Sequence, residues 1–321
     1  MNRHQPVWLS EAHTVTALGD SLEQLWRHLM AGRCGIRQAT HFSVDQYASR
    51  WLAAVANLGS KEDPGGRSRL NHLLERLFAS MPPVDTDAVL FTATTKAGID
   101  NLERLCRGKP ADTDETVPST VPRLIARRLG LDSEGLNINA ACASSTIAVA
   151  KAASLIRAGR ASSVLVCCMD VITDFVFSGF SALQALSPQP CRPFDRNRDG
   201  LTLGEGAAAL YFQSAERAAE QQRQPLAEIV GWGMANDATH ITAPARDGGG
   251  LIRAIEKALH LSGLTPRQIA AVSAHGTGTV FNDAMELTAI RQVFGDRSLP
   301  VYSVKGAIGH TLGAAGGIEI A

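Results

Sequence analysis

The run Leu136-Asn137-Ile138-Asn139-Ala140-Ala141-Cys142-Ala143-Ser144-Ser145 constrains this chain most, because within it a strand-like segment gives way to small residues that open a helix. That helix is predicted over Ala143–Ala158 and stops at Gly159, a common C-terminal breaker. A thiol on the first turn of such a helix meets unpaired N–H groups and the positive end of the helix dipole, which favour thiolate over thiol. A low-pKa cysteine on a strand-to-helix turn is one way acyl-transfer chemistry presents a nucleophile. Alone, the motif reads more readily as an inert core cysteine, since cysteine is among the most buried residue types.

Two later segments share its form. Ala274-His275-Gly276-Thr277-Gly278-Thr279 follows the apolar stretch Ile269–Val272, and Lys305-Gly306-Ala307-Ile308-Gly309-His310-Thr311 follows the strand-like Pro300–Val304. All three reactive segments stand just past a strand, at its carboxyl end, where open α/β sheets place their ligands. Strand-like and helical runs alternate throughout, which predicts an α/β fold. Strands are expected at Pro6–Leu9, Ala88–Thr92, Leu136–Ala140, Val164–Met169, Ala207–Phe212, Ile229–Met234, Ala271–Ala274 and Pro300–Val304. Further helices are expected at Leu22–Ala31, Leu70–Ser80, Gly98–Leu105, Val121–Leu129, Leu251–Leu261 and Asp283–Val293. The polar helix end around Gln221–Pro225 marks a boundary between an N-terminal half, 1–224, and a C-terminal half, 225–321. The order strand, reactive residue, helix occurs in both.

With 45% hydrophobic and 19% charged residues the chain is globular, and its formal net charge of zero argues against nucleic acid as the main ligand. The six cysteines show no zinc-ligand spacing and no disulfide framework, as expected of a reducing, cytoplasmic compartment without a metal site. No apolar run is long enough to span a bilayer. Cys167 and Cys168 read as core, and His4, His13, His28, His41, His72 and His260 as structural or surface histidines; His240 could be either structural or functional. The glycines from Gly306 to Gly317 lack the phosphate-loop and dinucleotide spacings and read as sites of close backbone packing.

Taken together, the segments above resemble the β-ketoacyl-acyl-carrier-protein synthases, most closely the elongating type II condensing enzymes. The resemblance starts with Leu18-Gly19, Leu25-Trp26 and Ala31–Ile36, continues through Ala140–Ser145, Arg192–Gly200, Leu203–Ala207 and Asn236–Pro244, and ends in the two histidine motifs. It implies a thiolase-like fold, two similar βα halves forming a layered αβαβα core, usually as a dimer. It implies decarboxylative condensation of an acyl thioester on Cys142 with malonyl-acyl-carrier protein, in fatty-acid or polyene/polyketide-type elongation. The alternative is a non-catalytic chain-length-determining partner of a ketosynthase heterodimer, which the presence of Cys142, His275, Lys305 and His310 argues against. A degradative thiolase would be expected to use a second cysteine near the chain's end instead.

By the same resemblance Cys142 takes the acyl chain, while His275 and His310 donate hydrogen bonds to the enolate oxygen formed as carbon dioxide leaves. Neutral imidazole N–H groups can stabilise that charge without a metal. Lys305 pairs with Glu319; Thr277 and Thr279, with Thr242 a weaker candidate, hydrogen-bond the phosphopantetheine arm; Glu286 and Asp283 support the first histidine motif; Phe180 gates the acyl entrance. No resident cofactor is implied, the arm being carried by the acyl-carrier protein, which is the expected partner together with its acyl and malonyl thioesters. Lys61, Arg67 and Arg69 form a modest basic cluster that either docks an acidic carrier or is a solvated loop. Two departures, a short, charged Gly98–Pro118 and a compressed Leu186–Cys191, keep chain-length preference from being transferred. The resemblance also implies closing strands and a glycine- and phenylalanine-rich loop beyond Ala321, so the C-terminal half is expected to be incomplete: either the sequence is part of a longer chain or the protein is a true fragment, for which weak folding and little condensation are expected.

Overall fold

A computed structural model describes residues 5–59, 66–240 and 243–321. Its strands are β1 (Val7–Thr16), β2 (Arg37–Gln38), β3 (Trp51–Ala53), β4 (Val89–Ala93), β5 (Leu136–Asn137), β6 (Ser163–Asp170), β7 (Leu203–Gly204), β8 (Gly206–Ser214), β9 (Ala227–Glu228), β10 (Val272–Ser273) and β11 (Val301–Tyr302). Six of them form one mixed sheet in the order β5-β4-β6-β8-β1-β9. β4 runs parallel to β5 and β6, whereas β6–β8, β8–β1 and β1–β9 are antiparallel.

Every residue of β6 and β8 is buried, because helices cover both faces of the sheet. Alternation sorts their side chains between two cores. Val164, Val166 and Cys168, with Ala208, Leu210 and Phe212, face a cluster built with the helix Ser144–Arg157 and with Ile318 of the helix Ala315–Ile320. Leu165, Cys167 and Met169, with Ala207, Ala209 and Tyr211, face Leu70, Leu73, Leu74 and Leu77 of the helix Arg69–Phe78 and Ile125 of the helix Val121–Leu129. Cys167 and Cys168 are therefore core, as their setting implied.

In the C-terminal part β10 and β11 pair in parallel, and the helices Gly249–Ser262 and Val280–Phe294 pack on each other. The two parts share a core: Ile308, Ala314 and Ile318 lie in the same cluster as Ala148 and Ala152 of the helix Ser144–Arg157.

The strand expected at Ile229–Met234 does not form; only Ala227–Glu228 joins a ladder. The two glycines decide this. A Cβ on Gly231 would lie 2.4 Å from the Ala258 carbonyl oxygen and one on Gly233 1.9 Å from that of Ala254, so the segment is pressed against a helix backbone. The basic cluster also dissolves: Arg69 points inward to the Leu58 carbonyl and the fully buried Glu205, and Arg67 pairs with Glu75. Lys61 and Thr242 lie outside the described residues.

Candidate active site

Cys142 sits just before its helix rather than on the first turn: the helix starts at Ser144 with Ala143 as cap. Ala141 takes a left-handed φ of 51°, uncommon for a residue with a Cβ, and so turns the chain sharply between β5 and the helix. Ser144 holds the turn, its hydroxyl donating to the Ala141 carbonyl at 2.6 Å and accepting from the Ala140 N–H at 2.9 Å.

His310 comes from the other half of the chain but is stitched to the first. Its N–H donates to the Thr202 carbonyl at 2.7 Å, and its carbonyl accepts from the Gly204 N–H at 2.9 Å. This places its Nε2 2.9 Å from Cys142 Sγ. The Leu312 N–H donates to Nδ1 at 3.2 Å, so in the neutral ring the proton belongs on Nε2, facing the sulfur. The His275 ring meets that of His310 edge to face, centroids 5.1 Å apart. Ligand-type atoms of Cys142, His275 and His310 all lie within 4.8 Å of one another, the one such trio of metal-capable side chains among the described residues.

The loop carrying His275 hangs from two carboxylates in the first two turns of the helix Val280–Phe294. Glu286 accepts from the N–H groups of His275 (2.7 Å) and Gly276 (2.6 Å); the fully buried Asp283 accepts from those of Thr277, Gly278 and, across the fold, Phe194. Gly276 allows the tight course, with a φ of 43° and Ser303 Cβ only 2.5 Å from where its own Cβ would stand. Thr277 and Thr279 touch through their hydroxyl oxygens at 2.9 Å on this loop. Lys305 is 1% exposed and ion-paired to Glu319, one helix further on. Phe180, on the helix Asp174–Ala182, is partly buried against a cluster that includes Phe177 and Leu312, two residues after His310.

The electrostatics depart from the sequence reading at Cys142. Burial pushes the Cys142 thiol above its usual pKa, with the Lys305 ammonium the main opposing influence. The expected depression is absent: Cys142 precedes the first helical turn instead of sitting on it, and desolvation outweighs the nearby positive charge. Burial, helped by Lys305, brings His275 down to about 3, and burial with its His275 and Lys305 neighbours holds His310 well below the ordinary range. Both imidazoles are therefore neutral at physiological pH. Glu319 is raised by burial against the pull of Lys305, and Glu286 by burial against its backbone donors.

Sequence reasoning missed Asp170, at the end of β6, and the Thr94-Thr95-Lys96 turn after β4, which contribute charge and hydrogen bonds around this site. The available signal was an acidic residue closing an otherwise apolar strand at its carboxyl end.

Residues 88–218 match the family described as Beta-ketoacyl synthase, N-terminal domain, and residues 226–321 its C-terminal domain. A 3-oxoacyl-[acyl-carrier-protein] synthase 2 from Synechocystis sp. is 32% identical over 337 residues, covering 95% of this chain and 81% of that protein. The chain belongs to the β-ketoacyl synthase family. A namesake of that relative from Staphylococcus aureus is 29% identical, covering 99% of this chain and 84% of its own. Among solved structures, the ishigamide ketosynthase/chain length factor superposes with a TM-score of 0.86 at 28% identity, covering 99% of this chain and 84% of that one. A ketosynthase in complex with its chain length factor from Xenorhabdus doucetiae gives 0.86 at 28%, covering 98% and 82%. The mixed α/β architecture of this β-ketoacyl synthase is thus the thiolase-like fold its motifs implied.

Proposed function

We propose that the chain is a 3-oxoacyl-[acyl-carrier-protein] synthase, elongating an acyl chain by decarboxylative condensation in fatty-acid or polyene/polyketide-type synthesis. The observation that carries this reading is the 2.9 Å contact of Cys142 with the protonated nitrogen of His310, with His275 beside it. Cys142 sulfur attacks the acyl thioester carbonyl, its proton passing to the phosphopantetheine sulfur, which leaves as the thiol. The malonyl thioester then loses carbon dioxide, and its bonding pair becomes an enolate. His310 Nε2–H, with His275, stabilises the enolate oxygen. The enolate carbon attacks the Cys142 thioester, the new carbon–carbon bond forms, and the sulfur is released. Neutral rings can fill this role, because each keeps one N–H to donate to the developing oxyanion.

Lys305, neutralised by Glu319, sets the local field, and Thr277 and Thr279 meet the arm of the carrier protein. No resident cofactor or metal enters this route, so the trio of donor atoms is assigned to acyl transfer. The partner-subunit alternative is not favoured, because the nucleophile and both imidazoles converge. An acyl-carrier protein in complex with a ketosynthase, and ketosynthase/chain length factor pairs, are among the similar structures, which supports a carrier partner and a dimeric assembly. Free cysteines throughout support the cytoplasm, and no helix among the described residues is long and apolar enough to cross a membrane.

Incubation with radiolabelled acyl-carrier protein tests the reading. Stable label is expected on the wild type and none on Cys142→Ala. An unlabelled wild type would point to the partner-subunit role, and label on both would displace Cys142 as nucleophile.

A further inference from the structure

Asp170 closes β6 inside the protein, 1% exposed, and four donors converge on its carboxylate. Thr94 Oγ1 (2.8 Å) and the Thr95 N–H (3.0 Å) reach Oδ1; Thr95 Oγ1 (2.9 Å) and the Gly313 N–H (2.7 Å) reach Oδ2. These donors belong to the two segments that aim the reactive pair. Gly313 lies three residues after His310, and the intervening Leu312 N–H fixes the ring through Nδ1. On the other side the Thr95 carbonyl accepts from Asn139 Nδ2 (3.3 Å), and Asn139 Oδ1 accepts from the Ala141 N–H (3.4 Å), next to Cys142. Asn137 doubles the link, exchanging hydrogen bonds with the Thr94 backbone at 3.2 Å each way. The space at Gly313 is closed as well: a Cβ there would lie 2.8 Å from Asp170 Oδ2.

We propose that Asp170 is a positioning residue: through Thr95 and Asn139 on one side and Gly313 on the other, it fixes the separation and angle between Cys142 and the His310 ring. The inference rests on Cys142 being the nucleophile. A carboxylate suits the position because it only accepts, and all four groups facing it donate. An amide in its place would turn an NH2 toward a backbone N–H that cannot rotate away, leaving buried donors facing each other. The bracket ties a loop of the C-terminal half to two loops of the first without touching substrate.

Iodoacetamide alkylation of Cys142, followed by mass spectrometry, separates positioning from a simple charge effect, because the two move in opposite directions. The buried Asp170 charge holds the Cys142 thiol up, so removing it in Asp170→Asn speeds alkylation at pH 7 if charge is all that matters. Loss of the His310 hydrogen bond slows it. We expect alkylation to slow at least threefold in Asp170→Asn. Condensation kcat should fall at least tenfold, with the KM for malonyl-carrier protein within twofold of wild type. Thr95→Val, which keeps the charge, should show the same pattern more weakly. Cys167→Ala, in the core on the opposite face of the sheet, should lower thermal stability and leave both readouts unchanged. Faster or unchanged alkylation in folded Asp170→Asn, or an equal loss in Cys167→Ala, overturns the proposal. If Asp170→Asn does not fold, an unchanged Thr95→Val does so. Failure of Cys142 itself to be alkylated in the wild type, whatever happens at the exposed Cys106, would instead remove the nucleophile assignment on which the bracket depends.

Discussion

Asp100 gives the clearest pH consequence of any single side chain. Its Oδ2 accepts from the Arg69 N–H at 2.7 Å, while its Oδ1 is buried with no partner among the described residues, and burial raises its pKa from 3.8 to about 6. A carboxyl whose folded pKa lies above its unfolded one costs no stability at pH values well below the unfolded value of 3.8, where both states are protonated. The cost grows as pH rises toward 6 and is full above it. Asp100→Asn, which mimics the neutral form, is therefore expected to stabilise the protein by about 1–3 kcal/mol at pH 8 and to make almost no difference at about pH 3; urea denaturation at the two values checks it, and an equal effect at both would refute it. At this scale the convergence of the candidate residues was legible, since Cys142, His275 and Lys305 each follow a strand-like run and His310 closes the small-residue turn that Lys305 begins. The state of Cys142 was not, because desolvation depends on what surrounds the sulfur in space. Nor was Asp170, whose donors come from segments far apart in the chain.

Among the elements, periodicity placed the long amphipathic helices well: Val121–Leu129 forms as expected, and Leu22–Met30 ends one residue early. The helix Asp174–Ala182 escaped notice because Phe175, Phe177 and Phe180 give it an apolar run without a clear polar face; its start is fixed by Thr173, whose hydroxyl accepts from the Val176 N–H. The glycines before Glu319 did announce close packing, and the helix Ala315–Ile320 shows where. A Cβ on Gly317 would lie 2.2 Å from Cys168 Sγ and one on Gly316 2.1 Å from Thr146 Oγ1, so this helix is seated between β6 and the helix that follows the nucleophile. Neither glycine has a left-handed φ, which leaves contact as the whole reason for it. Gly317→Ala is accordingly expected to destabilise by about 1–3 kcal/mol through overpacking and to disturb the Lys305–Glu319 pair two residues on. Cys168→Ala should recover part of the loss, since it removes the sulfur that the new methyl strikes. A double variant no more stable than Gly317→Ala alone would show that the clash lies elsewhere.

For the whole molecule, the exposed side of β5 matters most. Among the described residues this strand pairs with β4 alone and forms one edge of the six-stranded sheet, with Leu136 66% exposed at its start. An uncovered edge bearing an apolar side chain invites pairing with another chain. The proposed assembly supplies the occupant in a second copy, whose own β5 would meet this edge in a self-complementary contact. The same strand leads within five residues to Cys142, through the Asn137 and Asn139 links to the Thr94–Thr95 turn, so its placement bears on the reactive centre. Leu136→Lys is expected to leave the fold intact, because the side chain already faces outward, and to convert a dimer into a monomer by light scattering. Condensation should fall several-fold as β5 loses its support. A wild type that is monomeric at micromolar concentration, or a Leu136→Lys protein that remains dimeric, would move the subunit contact away from this edge.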